Sequence, residues 1–285
     1  MIRPSRRAFL GASAAFAIGA CRRPRIEPAA GPARRVVSLS PSTTEAMCAI
    51  GACGALVGRS RYCDFPPEIE RLPQVGGYVD PNVEAILALT PDLVTGARGP
   101  AGARYADVLE GRGVHVYAPR TESLAEIHEM IHGLGERTGH ADDARRVSEA
   151  LARDVATVEE RARASTRRTV LLVFGLRPIV VGGPGCFVDE MLSRAGGVNV
   201  VTEGGAYPTL GFERVLALDP HVVLDLAAVG SAGTERILAG DPVWKKLRAV
   251  REGRLRAVRD AAVLRPGPRV AQGMRSLFDA VHGAG

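Results

Sequence analysis

The sequence predicts an α/β fold of two lobes with parallel sheets, joined by one long rigid helix. Short β-branched runs alternate with helical segments, which is typical of parallel strands linked by crossover helices. The alternation is interrupted once, by residues 141–166, a charged segment without Gly or Pro. A similar phrase occurs on each side of that segment, at residues 83–94 and 212–223. The two lobes are therefore expected to be built alike.

The N-terminal lobe is predicted over residues 35–140. Its first strand, residues 34–40, stops at Pro41, and the helix that follows begins with Ser and Thr cap candidates and ends at Gly51. Asn82 is suited to cap a second helix, because its side-chain oxygen can accept from a free backbone N–H. Further strands are predicted at residues 55–60, 91–96 and 114–119.

The C-terminal lobe is predicted over residues 167–285, after the linking helix at residues 141–166. The alternation restarts there, and a helix over residues 187–197 ends at a double glycine. Strands are predicted at residues 169–175, 220–226 and 254–259, and a last helix from about Pro268. Each lobe is thus expected to be a Rossmann-like unit.

The repeated phrase is "VEAILALTPDLV" at residues 83–94 and "FERVLALDPHVV" at residues 212–223. Both copies predict a helix that a Pro ends and a strand that follows. In both, an acid lies in the first helical turn, Glu84 in one and Glu213 in the other. An acid there interacts with the helix dipole for about 0.3–1 kcal/mol. Contact with a two-fold symmetric partner would require the same two acids, so the pattern leaves both interpretations open.

Residues 1–21 have the features of an export signal. Arg6 and Arg7 precede an uncharged, Ala-rich run, in the manner of a twin-arginine signal, and "IGAC" before residue 22 is similar to a lipobox. We expect a protein of the periplasm or of the outer face of the cytoplasmic membrane, held there by a lipid on Cys21. Simple cleavage of the signal is the alternative. Residues 22–34 are expected to be a flexible tether.

Four further cysteines, Cys48, Cys53, Cys63 and Cys186, lie after the signal. An oxidising compartment permits disulfides, and four cysteines allow three pairings, among which the sequence does not choose. The only candidate for a metal pair is His128 and His132, which do not form the His-Glu-x-x-His motif. No metal site and no cofactor are therefore expected.

Composition and motifs argue against two other classes of protein. The net charge of +6 comes mostly from scattered Arg residues, and no basic stripe is interleaved with aromatic side chains. No nucleic-acid binding is therefore expected. The Gly-rich stretch at residues 182–187 lacks the Gly-Lys-Ser/Thr ending of a phosphate loop, and no Gly-x-Ser-x-Gly elbow is present. A binding protein is preferred, and an exported enzyme is the less favoured alternative.

Four stretches together resemble a known family: "RRVVSLSPSTTEAMCAIG", "GRSRYCDFPPEIERLPQVGGYVDPNVEAILALTPDLV", "WKKLRAVREGRL" and "RPGPRV". They are similar to ABC-transporter substrate-binding proteins of the helical-backbone class, and most similar to the vitamin B12 (cobalamin) receptors among them. The resemblance implies a monomer with a ligand cleft between its lobes. It also implies delivery of a small molecule to a dimeric permease with its ATPase, with membrane attachment through a lipid anchor alone.

The resemblance assigns roles to particular residues. Glu84 and Glu213 match the two family acids that dock on the permease. The positions that match the family's ligand cleft, or lie near it, are Tyr62, Tyr78, Tyr207, Phe174, Asp260 and Arg269. A tyrosine combines a wide apolar face with one polar anchor, which suits a large flat ligand. Ala97 replaces a Trp expected in a B12 receptor, so the cleft is expected to be less aromatic.

The ligand implied is a corrinoid, with haem or a ferric siderophore as alternatives. In related haem receptors a tyrosine near Tyr78 ligates the iron, and a phenolate suits ferric iron. Stacking on a corrin ring and ligation of haem iron both require an aromatic phenol, so the residues do not separate these roles for Tyr78.

Overall fold

The computed structural model describes residues 31–98, 104–229 and 240–283. The predicted export signal with Cys21 lies outside these residues, as does most of the tether. In the N-terminal lobe four strands form a parallel sheet in the order β2-β1-β3-β4. The strands are β1 (Val36–Ser38), β2 (Leu56–Arg59), β3 (Leu93–Thr95) and β4 (Val116–Tyr117).

Helices connect these strands and lead out of the lobe. They are α1 (Pro41–Ala49), α2 (Val83–Ala88), α3 (Arg104–Glu110) and α4 (Leu124–Thr138). The predicted Asn82 cap is confirmed, because its side chain accepts from the backbone N–H of Ala85. The cap of α1 is Ser40, which accepts from the N–H of Thr43 and lies before Pro41, so α1 begins earlier than the predicted Ser and Thr candidates. Helix α4 begins at a Ser cap and ends at Gly139, whose left-handed backbone (φ 76°) favours glycine.

The C-terminal sheet has two strands that the sequence does not predict. Its strands are β5 (Arg168–Leu176), β6 (Ile179–Val181), β7 (Gly197–Asn199), β8 (Val222–Asp225) and β9 (Leu255–Ala257). Strands β8 and β9 run parallel to their neighbours as expected, and so does the unpredicted β7, whereas the unpredicted β6 pairs antiparallel with β5. Only Arg177 and Pro178 separate β5 from β6, and so short a connection allows only a hairpin.

The remaining helices are α5 (Ala141–Arg163), α6 (Phe187–Arg194), α7 (Phe212–Leu218), α8 (Arg248–Arg251) and α9 (Val270–His282). Helix α5 lies within the predicted linking helix and connects the lobes, which confirms the predicted two-lobe α/β architecture; the boundaries at residues 140 and 167 stay predictions. Its buried positions recur every three or four residues, from Ala144 to Ala162, and form one apolar stripe. None of the helices in the described ranges is long and apolar enough to cross a membrane.

One buried cluster runs through both lobes. It includes Met47 of α1, Ile127 of α4, Leu151 of α5, Met191 of α6 and Met274 of α9. Each lobe also has a buried cluster of its own, which includes residues of its sheet. The shared core resists relative motion of the lobes, because separating them would expose apolar surface at about 25 cal/mol per Å².

The repeated phrase has the same backbone in both copies. Helix α2 leads into β3 and helix α7 into β8, each through a residue in the left-handed region. These residues are Thr90 (φ 44°) and Asp219 (φ 35°), and each precedes the Pro of its copy. The predicted helix, Pro stop and strand are confirmed in both lobes.

The cysteines pair locally. Cys48, near the end of α1, forms a disulfide with Cys53, and the other two described cysteines do not pair with each other, so none of the three complete pairings is present. Cys63 and Cys186 are buried free thiols. Burial raises the pKa of the Cys186 thiol to about 11, so this side chain is protonated at neutral pH.

Candidate ligand-binding site

A cleft of about 330 Å³ lies between the lobes, and each lobe supplies half of its lining residues. The N-terminal lobe contributes Ser40, Ser42, Tyr78, Ala97, Thr121 and Glu122, and the C-terminal lobe contributes Phe174, Phe187, Val188, Tyr207, Leu264 and Pro266. In the N-terminal lobe three of the lining segments follow β1, β3 and β4. The cleft therefore lies at the carboxyl ends of parallel strands, where open α/β sheets bind ligands.

Two of the predicted aromatic residues form the C-terminal wall. Phe174 projects from β5, and its ring meets that of Tyr207 edge to face, with centroids 5.3 Å apart. The loop that carries Tyr207 is held along β6, since the N–H of Val181 donates to the carbonyl of Pro208. Burial raises the pKa of Tyr207 to about 12, with smaller contributions from Cys186, Glu122 and Tyr78. Its hydroxyl is therefore a hydrogen-bond donor at neutral pH.

Tyr78 faces this wall from the N-terminal lobe. It lies at the tip of a tight turn that a bridge between Gly76 and Pro81 closes, and 43% of its surface is exposed. A side chain at position 76 would meet the carbonyl of Asp80, and the backbone there has φ 92°, so the turn requires glycine. The turn thus presents the Tyr78 ring to the cleft.

Tyr62 lies beside this turn and outside the cleft lining. Its ring packs close to Gly77, and the Arg61 guanidinium lies 5.7 Å from its centroid. Arg61 in turn pairs with Asp80 at 2.9 Å. Tyr62 remains half exposed, so its predicted ligand contact would be at the rim of the cleft.

Asp260 and Arg269 also lie outside the lining, and the structure gives each of them internal partners. Asp260 caps the short helix Ala261–Leu264 and accepts from Gln272 and Ser276. Arg269 donates two hydrogen bonds to the buried Glu45, at 2.7 and 2.8 Å. The ligand contacts of Asp260 and Arg269 stay predictions; neither residue lines the cleft, and each side chain has partners within the protein.

Arg269 belongs to a charged group that joins the lobes next to the cleft, named here the interlobe clamp. It consists of Glu45 and Asp64 from the N-terminal lobe and Arg265 and Arg269 from the C-terminal lobe. Arg265 binds Asp64 through two nitrogens, at 2.6 and 2.8 Å, and also reaches Glu45. These hydrogen bonds from Arg265 lower the pKa of Asp64. The neighbours of Arg265 in the chain, Leu264 and Pro266, line the cleft, so the clamp adjoins the ligand site.

Glu122 is a lining residue that the sequence analysis missed. It lies in the loop after β4, and no motif marks it. The one usable signal was its place at the carboxyl end of a parallel strand, which it shares with Ser40 after β1 and Ala97 after β3. The N–H of Ala97 donates to the Ser40 hydroxyl at 2.9 Å, which holds those two segments together.

Glu84 and Glu213 are exposed in the first turns of α2 and α7. Neither carboxylate has an ion pair or a side-chain hydrogen bond with another described residue. Asn82 already caps α2, so Glu84 is not needed as its cap. The helix-dipole interpretation and the docking interpretation both remain compatible with these positions.

In the described part of the chain, no group of three or more His, Cys, Asp or Glu residues is suited to hold a metal ion. His128, one of the two histidines weighed for zinc, contacts the Ser148 hydroxyl of α5 instead. Burial lowers the pKa of His128, and His132 nearby lowers it further.

Comparison with known proteins identifies the architecture around this cleft. Residues 36–262 match a family model described as periplasmic binding protein. The chain belongs to this family. A curated vitamin B12-binding protein of Salmonella paratyphi A is 30% identical over 216 residues, which cover 75% of this chain and 79% of the relative. These similar proteins are substrate-binding transport proteins and not enzymes, so the predicted class of binding protein is confirmed.

Solved structures of proteins named for different ligands have the same fold as this chain. The periplasmic vitamin B12-binding protein of Vibrio cholerae is 26% identical, with a TM-score of 0.75, and the match covers 88% of this chain and 97% of that one. A periplasmic haem-binding protein from Roseiflexus sp. RS-1 is 28% identical, with a TM-score of 0.76, covering 88% of this chain and 100% of that one. The two-lobe fold is common to both, so the fold does not separate a B12 receptor from a haem receptor.

Proposed function

We propose that this periplasmic binding protein is the receptor of an ABC importer for a corrinoid of the vitamin B12 type. The observation that carries the proposal is the chemistry of the cleft: aromatic and aliphatic walls, a few hydroxyls, one carboxylate and no cation among the described lining residues. A corrin ring has a broad apolar face and neutral carboxamide arms. Tyr78, Tyr207 and Phe174 offer apolar area for the face, and the hydroxyls and carboxylate offer partners for the arms.

Haem is the second candidate, and the same lining disfavours it. Haem carries two propionates that are ionised at neutral pH, and a buried carboxylate needs a cation or several donors. The described lining supplies a carboxylate instead, Glu122. In favour of haem stands the accessible phenol of Tyr78, a possible ligand to ferric iron. Ferric siderophores that carry net negative charge meet the same objection as haem.

A binding titration of the mature protein with cyanocobalamin, haemin and a ferric siderophore tests the proposal. Calorimetry and absorbance should show saturable, one-to-one binding of cyanocobalamin, at least tenfold tighter than binding of the other two ligands. Haemin absorbance also reports ligation, because a tyrosinate bond to ferric iron changes the spectrum. Tight haemin binding without cobalamin binding would replace the corrinoid by haem.

Delivery to the permease is proposed to use Glu84 and Glu213, one from each lobe. Their exposed carboxylates on equivalent helices are suited to basic side chains on the two halves of a permease dimer. The interlobe clamp and the shared core keep the lobes in a fixed relation, so the distance between the two acids changes little when ligand binds. The receptor is proposed to act as a monomer, tethered through a lipid on Cys21.

Charge reversal tests this docking. The double substitution Glu84→Lys and Glu213→Lys should abolish uptake in cells while ligand affinity in solution stays within twofold, because both residues lie outside the cleft. The matched control is Glu136→Lys with Glu149→Lys, which makes the same charge change at exposed sites on α4 and α5. Uptake that survives the first pair, or is lost equally with the second, would leave only the helix-dipole role.

A further inference from the structure

Glu122 is the one charged side chain among the described residues that line the cleft. It lies between β4 and α4, and Thr121 before it is buried and also lines the cleft. Phe187 and Val188, at the start of α6, line the cleft from the other lobe and are apolar. The cleft therefore places a carboxylate among groups that cannot neutralise it.

The backbone that carries Glu122 is held from both lobes. The Glu126 carboxylate accepts from the N–H of Glu122 at 2.7 Å and from Arg120 Nε at 2.6 Å. Ser123 caps α4 directly after Glu122. The N–H of Leu124 then donates to the carboxylate of Glu190 on α6, at 3.1 Å, so the loop is fastened to the C-terminal lobe. These hydrogen bonds fix the backbone position from which the Glu122 side chain projects.

The Glu122 carboxylate itself has no hydrogen bond or ion pair with any described residue. Burial raises the pKa of Glu122, and the negative charge of Glu126 raises it further. Arg120 lowers this pKa through its charge, but its guanidinium is already paired with Glu126. A partly desolvated carboxylate without a donor costs free energy that a structural role would not justify.

We propose that Glu122 is the specificity-determining residue of the cleft, where its carboxylate accepts a hydrogen bond from a ligand carboxamide and repels a ligand that carries a carboxylate at that place. This inference rests on the proposed corrinoid function. A carboxamide N–H supplies the donor that the protein lacks, and a charge-assisted hydrogen bond of this kind is stronger than a neutral one. The repulsion provides the selection, because it penalises anionic competitors in the same cleft.

Cobalamin monocarboxylic acids test this proposal directly, since each isomer has one amide arm converted to a carboxylate. Wild-type protein should bind one of these isomers at least tenfold more weakly than it binds cyanocobalamin at neutral pH. Glu122→Gln should remove most of that discrimination, because a neutral amide can donate to the ligand carboxylate. The matched control is Glu129→Gln, which removes the same charge from an exposed position on α4, and it should discriminate as the wild type does.

The outcomes separate this inference from the proposed function. Discrimination among the isomers that is equal in wild-type protein and Glu122→Gln overturns the role of Glu122 while the corrinoid function stands. Absence of cyanocobalamin binding in the wild type overturns the function itself. Thermal melting of each variant shows whether it is folded, and the nearly isosteric Gln is expected to preserve the fold. A second variant, Glu122→Ala, should bind cyanocobalamin more weakly than Glu122→Gln does, because Ala offers no acceptor.

Discussion

Two neighbouring regions between the lobes differ in whether their charged side chains are paired. In the interlobe clamp Glu45 is almost fully buried and is met by two guanidinium groups, while Asp64 takes two further hydrogen bonds from Arg265. In the cleft the carboxylate of Glu122 is partly buried and has no partner among the described residues. The paired charges of the clamp thus hold the lobes together, and the unpaired carboxylate in the cleft is available to a ligand.

The contrast has a physical reason. Burying a charge with its partners contributes little net stability, but removal of one partner leaves an uncompensated charge and is strongly destabilising. An unpaired carboxylate lowers stability slightly and provides an acceptor for a ligand. The clamp is therefore expected to dominate measurements of stability, and the cleft to dominate measurements of affinity.

The largest effect is expected at the centre of the clamp. Glu45→Ala should lower the free energy of unfolding by about 3–5 kcal/mol, because it leaves Arg265 and Arg269 without their buried counter-charge. Asp64→Asn should cost only about 1 kcal/mol or less, since the Asp64 side chain is half exposed. Urea denaturation measures both variants. Equal losses would mean that Glu45 is not the centre of the clamp.

The next effect concerns the aromatic walls of the cleft. Tyr78→Ala and Tyr207→Ala should each weaken ligand binding by about 10- to 100-fold, since aromatic anchors account for much of the energy of buried contacts. Tyr62→Ala should weaken it by less than about threefold, because the ring lies beside the cleft lining. Calorimetric titration decides between them, and a large loss at Tyr62 would extend the site to the rim.

The smallest effects concern pH and have opposite signs in the two regions. The pKa of Asp64 is lowered in the folded protein, so its contribution to stability is present above its ordinary pKa of about 4 and is lost as the pH falls further. The pKa of Glu122 is raised, so ionisation of Glu122 destabilises the fold, and this contribution is relieved as the pH falls through the raised pKa towards the ordinary value of about 4.

Unfolding measured against pH for wild type, Asp64→Asn and Glu122→Gln tests these signs. The stability advantage of the wild type over Asp64→Asn should shrink on acidification below about pH 4. Its deficit relative to Glu122→Gln should shrink as the pH approaches the raised pKa of Glu122 from above. If both stability differences changed in the same direction with pH, the clamp and the cleft would not differ in their response to pH.

Local patterns were sufficient for most elements of the fold. The alternation of strands and helices, the Asn82 cap, and the repeated helix and strand around Thr90 and Asp219 depend on neighbours in the chain. Backbone geometry and capping act over a few residues, so a sequence shows them directly. The antiparallel strand β6 was missed because its short run is adjacent to β5, and β7 was missed because it has three residues; neither carries a separate periodic signal.

The site depended on contacts between distant parts of the chain. Arg265 and Glu45 are 220 positions apart, and only folding shows that this pair forms a clamp while Glu122 is left without a partner among the described residues. The same holds for Asp260 and Arg269, whose residue types suit a ligand but whose side chains are engaged within the protein. Residue type and local pattern determine the helices, the strands and the family. Which charges meet is decided by tertiary packing, because electrostatic pairing depends on distance in space and on burial.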